Sequence, residues 1–167
     1  MFSCGNLNVG YHSAVRETEK MRLILQRVKS AAVAVAGERV AGIGKGMLVL
    51  VGIQKGDGEE QVTRAAEKLA RLRIFEDQDG RMNLDTSAVG GAILLVSQFT
   101  LAGSLDKGRR PSFDGAAPAA EAEPLVNRLA TRLRESGVAV ETGRFGTHME
   151  VELINDGPVT FILELSS

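Results

Sequence analysis

The stretch MRLILQRVKSAAVAVAGERVAGIGKGMLVLVGI, residues 21–53, decides the fold class. Its first part alternates apolar and polar side chains, and Gly37-Glu38 is a two-residue connection of the kind found in tight β-hairpins. Its last part is a continuous apolar run, which is typical of a strand buried on both faces. The predicted strands are residues 22–28, 32–36, 39–43 and 47–53. Because no helix interrupts them, they favour an antiparallel or mixed sheet over a doubly wound one.

Two amphipathic helices are predicted farther along the chain. Asp57, with Glu60 three residues later, resembles a capping box before an apolar stripe that reaches Leu72. The second helix has to hold Pro124 in its first turn and end at Gly137. Further strands are predicted at residues 92–96, 138–142, 149–154 and 159–165. Since there is neither an internal repeat nor an interdomain linker, we predict a single domain.

The first twenty residues differ from the rest of the chain. Residues 1–20 show no sustained periodicity and lack the apolar segment of a secretory signal. We expect them to be a disordered extension, or the product of an upstream start choice, outside a domain formed by residues 21–167. Glu17 and Glu19 argue against a transit peptide, because such peptides are poor in acidic residues.

Composition excludes several classes of protein. A single cysteine, Cys4, rules out an intramolecular disulfide and a cysteine-based zinc site. Two histidines, His12 and His148, are too few for a histidine-rich metal centre and make a serine–histidine–acid triad improbable. No run approaches the roughly 20 apolar residues of a membrane helix. The net charge of −1 argues against a general nucleic-acid coat protein, so any RNA contact has to be local.

A polar cluster follows the apolar strand of residues 92–96. Ser97, Gln98 and Thr100 stand where strand ends commonly aim polar groups into a shared crevice. An esterase needs hydrogen-bond donors for the oxyanion of its tetrahedral intermediate, and the backbone amides of Phe99 and Thr100 are candidates. The alternative is an ordinary strand end whose hydroxyls only cap neighbouring turns.

A second candidate is the segment Asn-Asp-Gly-Pro-Val-Thr, residues 155–160, between two strand-like runs. Its composition favours an ordinary hairpin turn for purely local reasons. The Gly157-Pro158 bond can be cis or trans, and the sequence does not decide between them. Arg27, a charge in the middle of a predicted strand, either extends to the surface or braces a polar site.

Other residues give weaker signals. Thr100 as a nucleophile needs a general base, and no histidine or lysine lies near it in sequence. A basic loop with Lys107, Arg109 and Arg110 can hold phosphate, although a solvated surface loop is the usual outcome. His148 is a lone histidine of the type that is most often at the surface or structural.

Together these segments resemble the D-aminoacyl-tRNA deacylase family. The two signature motifs of that family, Ser-Gln-Phe-Thr and Asn-x-Gly-Pro-Val-Thr, correspond to residues 97–100 and 155–160. The resemblance covers residues 21–165, and the segment before it departs from the family. Supporting matches lie at residues 26–28, 46–52, 73–75, 81–84, 110–113 and 142–145.

The resemblance implies a fold of mixed α/β class, a single-domain barrel-like mixed β-sheet with two helices. It implies a cytoplasmic homodimer whose active sites lie at the subunit interface, with no metal, no organic cofactor, no membrane and no DNA involved. The implied activity is hydrolysis of the ester bond of D-aminoacyl-tRNA, bound by its 3′ end, as a proofreading step of translation. Glycyl-tRNA mischarged on tRNA(Ala) is an implied second substrate.

The resemblance also implies residue roles. Gly157-Pro158 would be cis and reach into the partner subunit's pocket, where its carbonyl oxygens hold the amino group of a D-amino acid and exclude an L side chain. Arg27 would brace that Gly-Pro segment. The opposite wall, around the terminal adenosine and the ester, would consist of Ser97, Gln98 and the catalytic residues Phe99 and Thr100, with Met149 near the aminoacyl group.

Two mechanisms and two rival functions remain open at this level. Either Thr100 attacks the ester, or the 2′-hydroxyl of the terminal adenosine assists while backbone amides hold the oxyanion. The absence of a sequence-near base favours the second mechanism. The rival functions are a non-catalytic tRNA-binding module and a conventional esterase with Thr100 as its nucleophile.

Overall fold

A computed structural model describes residues 20–106 and 108–166, so the expected extension, apart from Lys20, lies outside the described residues. The elements are β1 (Lys20–Val35), β2 (Glu38–Ile43), β3 (Gly46–Gly52), α1 (Glu59–Arg71), β4 (Phe75–Glu76), β5 (Met82–Leu84), β6 (Ala92–Ser97), a 3₁₀ helix (Phe99–Ala102), α2 (Ala119–Glu135), β7 (Ala139–Thr142) and β8 (Glu150–Ser166). Within these residues, no helix is both long and apolar enough to cross a membrane.

The main sheet has six strands in the order β2-β1-β3-β6-β7, with β8 on the other edge of β1. Strand β1 runs antiparallel to β2, β3 and β8, whereas β3, β6 and β7 are mutually parallel. The sheet is therefore mixed, as predicted, and it curls until it is nearly closed into a barrel. A separate two-stranded sheet joins β4 and β5.

Two predicted boundaries inside the sheet are wrong. Residues 22–28 and 32–35 belong to one strand, β1, and residues 150–154 and 159–165 belong to one strand, β8, while Ala36 and Met149 lie just outside these strands. The expected hairpin turn at residues 155–160 is absent, because both halves of β8 pair with β1 in the same direction. The turn-forming residues produce a wide bulge instead. Gln26 pairs with Thr160 and Val28 with Asn155, so four residues of β8 lie opposite Arg27 alone.

The curled sheet buries side chains on both faces. Alternate residues of β3 explain its continuous apolar sequence, since Met47, Val49 and Val51 pack toward the helices while Leu48 packs inside the curl. The prediction of a strand buried on both faces is confirmed. The inner cluster consists of Val28, Ala31, Val33, Ala41, Ile43, Leu48, Leu94 and Val96.

Both helices begin at residues other than those predicted. The residue that precedes α1 is Gly58, whose N–H donates to Gln61 Oε1 at 2.8 Å, while Asp57 accepts from the amide of Gln54 instead. Helix α2 begins at Ala119, so Pro124 lies beyond the first turn. The proline is tolerated because the carbonyl that loses its partner belongs to Ala120, which is exposed to water.

The predicted end of α2 is confirmed. Gly137 has a φ of +85° and donates to the carbonyl of Arg134 at 2.9 Å, and Val138 donates to Leu133 at 3.1 Å. This pair of bonds is the Schellman arrangement that a glycine after a helix allows.

Candidate functional site

A cleft of about 560 Å³ opens where β6 ends, between the 3₁₀ helix, the start of α2 and the loop that precedes β8. Its walls are mostly apolar, and the uncharged polar side chains of Ser97, Gln98 and Thr147 are joined by one ionisable side chain, His148. The lining residues are Val51, Ile53, Val96, Ser97, Gln98, Phe99, Ala116, Ala117, Ala119, Ala122, Val126, Phe145, Gly146, Thr147, His148, Met149 and Val151. An apolar cleft with a few convergent polar groups is typical of a small-ligand site.

The edge of the cleft carries two backbone donors. The N–H of Gln98 continues the parallel ladder by donating to Val51 at 2.7 Å, and the chain then turns into the 3₁₀ helix, where Leu101 donates to Gln98 at 3.2 Å. Phe99 and Thr100 are the first two residues of this helix, so neither amide has an intrahelical acceptor. No acceptor for either amide is recorded among residues 20–106 and 108–166. These amides are therefore available to an acceptor from outside the described chain, as an oxyanion requires.

Thr100 differs from its neighbours in position. Ser97, Gln98 and Phe99 line the cleft, whereas the side chain of Thr100 is exposed and does not line it. Its hydroxyl hydrogen-bonds to the side-chain amide of Gln98. In the described chain no acidic or basic side chain hydrogen-bonds to that hydroxyl, so the structure supplies no general base for it.

An aromatic pair stands at the mouth of the cleft. The rings of Phe99 and Phe113 meet edge to face with their centroids 5.2 Å apart, and both side chains are exposed. This contact ties the loop after the 3₁₀ helix to the cleft. Arg109 and Arg110 of that loop are exposed, and Lys107, the third cation of the predicted phosphate-binding loop, lies outside the described residues.

The loop before β8 contributes residues that sequence reasoning missed. Phe145, Gly146, Thr147 and His148 all line the cleft. The loop is carried there because β7 pairs in parallel with β6, and the only sequence signal was a family match that included Phe145. Met149, which was predicted, lines the cleft beside them.

The Gly157-Pro158 segment lies elsewhere in the chain. Its peptide bond is cis, Gly157 has a φ of +132°, and both residues are exposed within the bulge of β8. Neither residue lines the cleft. The segment is therefore displayed outward and does not join the Ser97–Thr100 wall within the described part of one chain.

Arg27 contacts this bulge from its buried side. Its side chain is buried, its Nε donates to the carbonyl oxygen of Asp156 at 3.1 Å, and its Nη1 donates to the carbonyl oxygen of Ile74 at 2.7 Å. Carboxylates of Glu76 and Asp156 lie 3.7 and 3.5 Å from the guanidinium. Of the two roles considered from sequence, bracing a polar segment fits these contacts and extension to the surface does not.

Exposed apolar side chains flank the bulge along β8. Ile154 is 57% exposed, Phe161 41% and Ile162 69%. In the described residues β8 pairs only with β1, so its outer edge also carries unpaired backbone groups. A long edge strand with an apolar surface is a typical site of association.

Residues 20–106 and 108–166 contain no cluster of three or more histidine, cysteine, aspartate or glutamate side chains that can hold a metal ion.

Comparison of the sequence with known proteins points to one family. Residues 24–164 match the family described as D-Tyr-tRNA(Tyr) deacylase. The D-aminoacyl-tRNA deacylase of Symbiobacterium thermophilum is 54% identical over 144 residues, which cover 86% of this chain and 95% of that relative. The D-aminoacyl-tRNA deacylase of Geobacter sulfurreducens is 54% identical over 147 residues, which cover 88% and 97%.

Two solved structures share the fold. A structure described as c-Myc DNA unwinding element binding protein superposes with a TM-score of 0.82 at 37% identity, covering 88% of this chain and all of that one (100%). A structure described as a probable eukaryotic D-amino acid tRNA deacylase superposes with a TM-score of 0.77 at 19% identity, covering 87% and 100%, and this likeness concerns the fold alone.

Proposed function

Because this chain belongs to the D-aminoacyl-tRNA deacylase family, whose members hydrolyse D-aminoacyl-tRNA, we propose that two copies of it form each active site together. In this proposal the cleft of one subunit receives the aminoacyl ester at the 3′ end of the tRNA. The Gly157-Pro158 bulge of the second subunit closes that cleft and selects the chirality of the amino acid. The enzyme acts in the cytoplasm, where it removes D-amino acids from mischarged tRNA.

The arrangement of β8 supports a shared site. In residues 20–106 and 108–166 of one chain, the Ser97 wall and the Gly157-Pro158 bulge do not line a common cleft. The bulge stands on an edge strand between exposed apolar side chains, Ile154 on one side and Phe161 on the other. Pairing such edges through a two-fold axis buries the apolar surface and presents each bulge to the other subunit.

Chirality is selected by exclusion. The carbonyl oxygens of the Gly157-Pro158 segment accept hydrogen bonds from the α-ammonium group of the substrate. With the ammonium and the ester fixed, a D side chain points into the open cleft, whereas an L side chain points at the carbonyl groups. A fixed clash rejects all L residues while it admits many D side chains. Glycine has no side chain to reject, so glycyl-tRNA, including that mischarged on tRNA(Ala), is also a substrate.

The chemistry relies on backbone donors and on the RNA. Water attacks the ester carbonyl carbon, and the resulting oxyanion is stabilised by the amides of Phe99 and Thr100. The bond from the carbonyl carbon to the ribose 3′ oxygen then breaks. The proton lost by the water passes through the adjacent 2′-hydroxyl to that 3′ oxygen, which leaves as a hydroxyl. The Thr100 side chain positions Gln98 and does not attack.

Local contacts to phosphate complete substrate binding. Arg109 and Arg110 are exposed on the loop that Phe113 ties to the mouth of the cleft, and Lys107 belongs to the same loop in sequence. We expect these cations to contact phosphates next to the terminal adenosine. Replacing all three with alanine should lower activity and weaken its salt dependence. Unchanged activity and unchanged salt dependence would remove the loop from the binding site.

The observation that carries this proposal is a pair of amides with no acceptor in the described part of the chain, beside the cleft and next to a threonine for which the same residues supply no base. The test compares hydrolysis of D-tyrosyl-, L-tyrosyl- and glycyl-tRNA by the wild type and by Thr100→Ala. Rapid loss of the D and glycyl esters, a spared L ester and an active variant are expected. A wild type that is inactive on the D ester would refute the proposal, and a folded but inactive variant would restore Thr100 as a direct participant.

A further inference from the structure

A second groove, of about 650 Å³, runs between α1 and the C-terminal part of β8. Among the described residues that line it, four are exposed cations and one, Glu67, carries a carboxylate. The cations are Arg64, Lys68, Arg71 and Arg73. The whole chain carries a net charge of −1, so this groove concentrates positive charge on an otherwise balanced molecule.

The fold uses the four cations of this basic groove to different extents. Arg64, Lys68 and Arg71 follow one another at spacings of four and three residues on α1, and like charges at such spacings destabilise a helix, although the helix dipole favours Lys68 and Arg71 in the last turn. Arg64 donates to the carbonyl of Ser166 at 2.6 Å and lies 3.9 Å from a carboxylate oxygen of Glu60, and Arg73 donates to Asn83 Oδ1 at 3.4 Å. For Lys68 and Arg71, no ion pair or hydrogen bond of the side chain is recorded within residues 20–106 and 108–166. Both are therefore available to an anion.

The basic groove and the cleft lie at the same height along the strands of the main sheet. Leu163, which lines the groove, pairs with Leu23, and Leu23 pairs with Val51. Val51 in turn pairs with Ser97 of the cleft. One row of residues across four neighbouring strands thus links the two sites, over three strand spacings or about 14 Å along the sheet.

We propose that the basic groove binds the phosphodiester backbone of the tRNA acceptor arm while the 3′ end of the same tRNA occupies a cleft lined by Ser97. This inference rests on the proposed function, because it takes aminoacyl-tRNA as the substrate. A row of exposed cations matches the regular charge of a nucleic-acid backbone, and each neutralised phosphate adds to affinity and to its salt dependence. The groove thereby helps to distinguish aminoacyl-tRNA from small aminoacyl esters.

The test uses the double variant Lys68→Glu/Arg71→Glu of the full chain and two substrates, D-tyrosyl-tRNA and D-tyrosyl-adenosine, which lacks phosphate. The matched control is Lys29→Glu/Arg39→Glu, which makes the same charge change at exposed cations of β1 and β2. For the tRNA substrate, kcat/KM of the groove variant should fall about tenfold at 0.1 M salt. The slope of log kcat/KM against log salt should become shallower by about two, one for each lost phosphate contact. For D-tyrosyl-adenosine, both variants should match the wild type.

The outcomes that would contradict the proposed tRNA contact can be told apart from those that would contradict the proposed function. An unchanged salt slope, or a change equal to that of the control, would overturn the groove and leave the proposed function intact. An equal loss on D-tyrosyl-adenosine would also overturn it, because the effect would then not depend on the tRNA body. A change in oligomeric state confined to the groove variant, seen by analytical ultracentrifugation, would make the groove a contact between copies. A wild type inactive on both substrates would instead refute the proposed function.

Discussion

Arg27 Nε donates a hydrogen bond to the carbonyl oxygen of Asp156 at 3.1 Å, across the position where β8 bulges away from β1. The same guanidinium donates to the carbonyl oxygen of Ile74 at 2.7 Å, and only 6% of the residue is exposed. A planar guanidinium can hold two such acceptors in a fixed relation. One buried side chain therefore hydrogen-bonds to the backbone next to the exposed Gly157-Pro158 segment, and we propose that it sets the position of that segment.

Replacing Arg27 with lysine should show this positioning role. A lysine keeps the charge but cannot reach both carbonyl oxygens in the same geometry, so the bulge should shift. We expect kcat/KM for D-tyrosyl-tRNA to fall about 100-fold, the effect of a misplacement of about 1 Å. The ratio of kcat/KM for D-tyrosyl-tRNA to kcat/KM for L-tyrosyl-tRNA should also fall, and a purely structural role of Arg27 would not change this ratio. Arg39→Lys, at an exposed site on β2, is the control, and wild-type selectivity in Arg27→Lys would contradict the assignment.

Gly157 should not tolerate a side chain. Its φ is +132°, and an added Cβ would lie 2.8 Å from Val159 Cγ2 and 3.3 Å from Arg27 Nη2. Gly157→Ala should therefore displace the bulge, lower the free energy of unfolding by about 1–3 kcal/mol and abolish D-specific deacylation. Gly80→Ala is matched in backbone class, since Gly80 has a φ of +73° but open space around it. Equal activity losses in the two variants, measured with equal folded fractions, would argue against a special role for Gly157.

The apolar edge of β8 should control assembly. Ile162 is 69% exposed in the single chain, and a shared active site requires this edge to be covered. Ile162→Lys should shift the protein from dimer to monomer in sedimentation experiments and remove deacylase activity in parallel. Leu105→Lys changes a side chain that is 77% exposed on a loop, and it should leave the dimer intact. A fully active monomer of the Ile162 variant would contradict the shared site.

Lowering the pH should weaken the ion pairs that link α1 to α2. Hydrogen bonds from Arg132 and then from Arg128 hold the pKa of Glu59 below its ordinary value of 4.5. A lowered folded-state pKa means that the contribution is present above 4.5 and is lost as pH falls through the folded-state pKa. The Tm of the wild type should therefore exceed that of Glu59→Gln at pH 7, and the difference should shrink below pH 4.5. In an Arg128→Gln/Arg132→Gln background the difference at pH 7 should be much smaller, leaving the interaction of Glu59 with the first turn of α1.

The sequence predicted those features of the fold that depend on local patterns. Apolar periodicity located the two helices and the doubly buried strand β3, and Gly137 marked the end of α2. Continuity of β1 and β8 was not predictable in this way, because it depends on pairing between residues far apart in sequence. The composition of residues 155–160 is that of a turn, and only the neighbouring strand makes it a bulge.

The candidate site was likewise predictable only in part. Ser97, Gln98, Phe99 and Met149 were predicted, and the structure brings them to one cleft. Lining residues such as His148 were missed, because the parallel pairing of β7 with β6 places their loop there and no local pattern signals it. The separation of Gly157 from the cleft was visible only in three dimensions.

The most direct test of the shared site is a subunit-mixing experiment. One subunit carries Gly157→Ala, which damages the bulge, and the other carries Ser97→Trp, which fills the cleft. Each variant alone should form an inactive dimer. The mixed dimer, isolated with two different affinity tags, contains one site with both lesions and one with neither if sites are built across the two-fold axis. We predict that it recovers about half of the wild-type rate on D-tyrosyl-tRNA. A mixed dimer as inactive as its parents would show that each site is built within one subunit and would contradict the account.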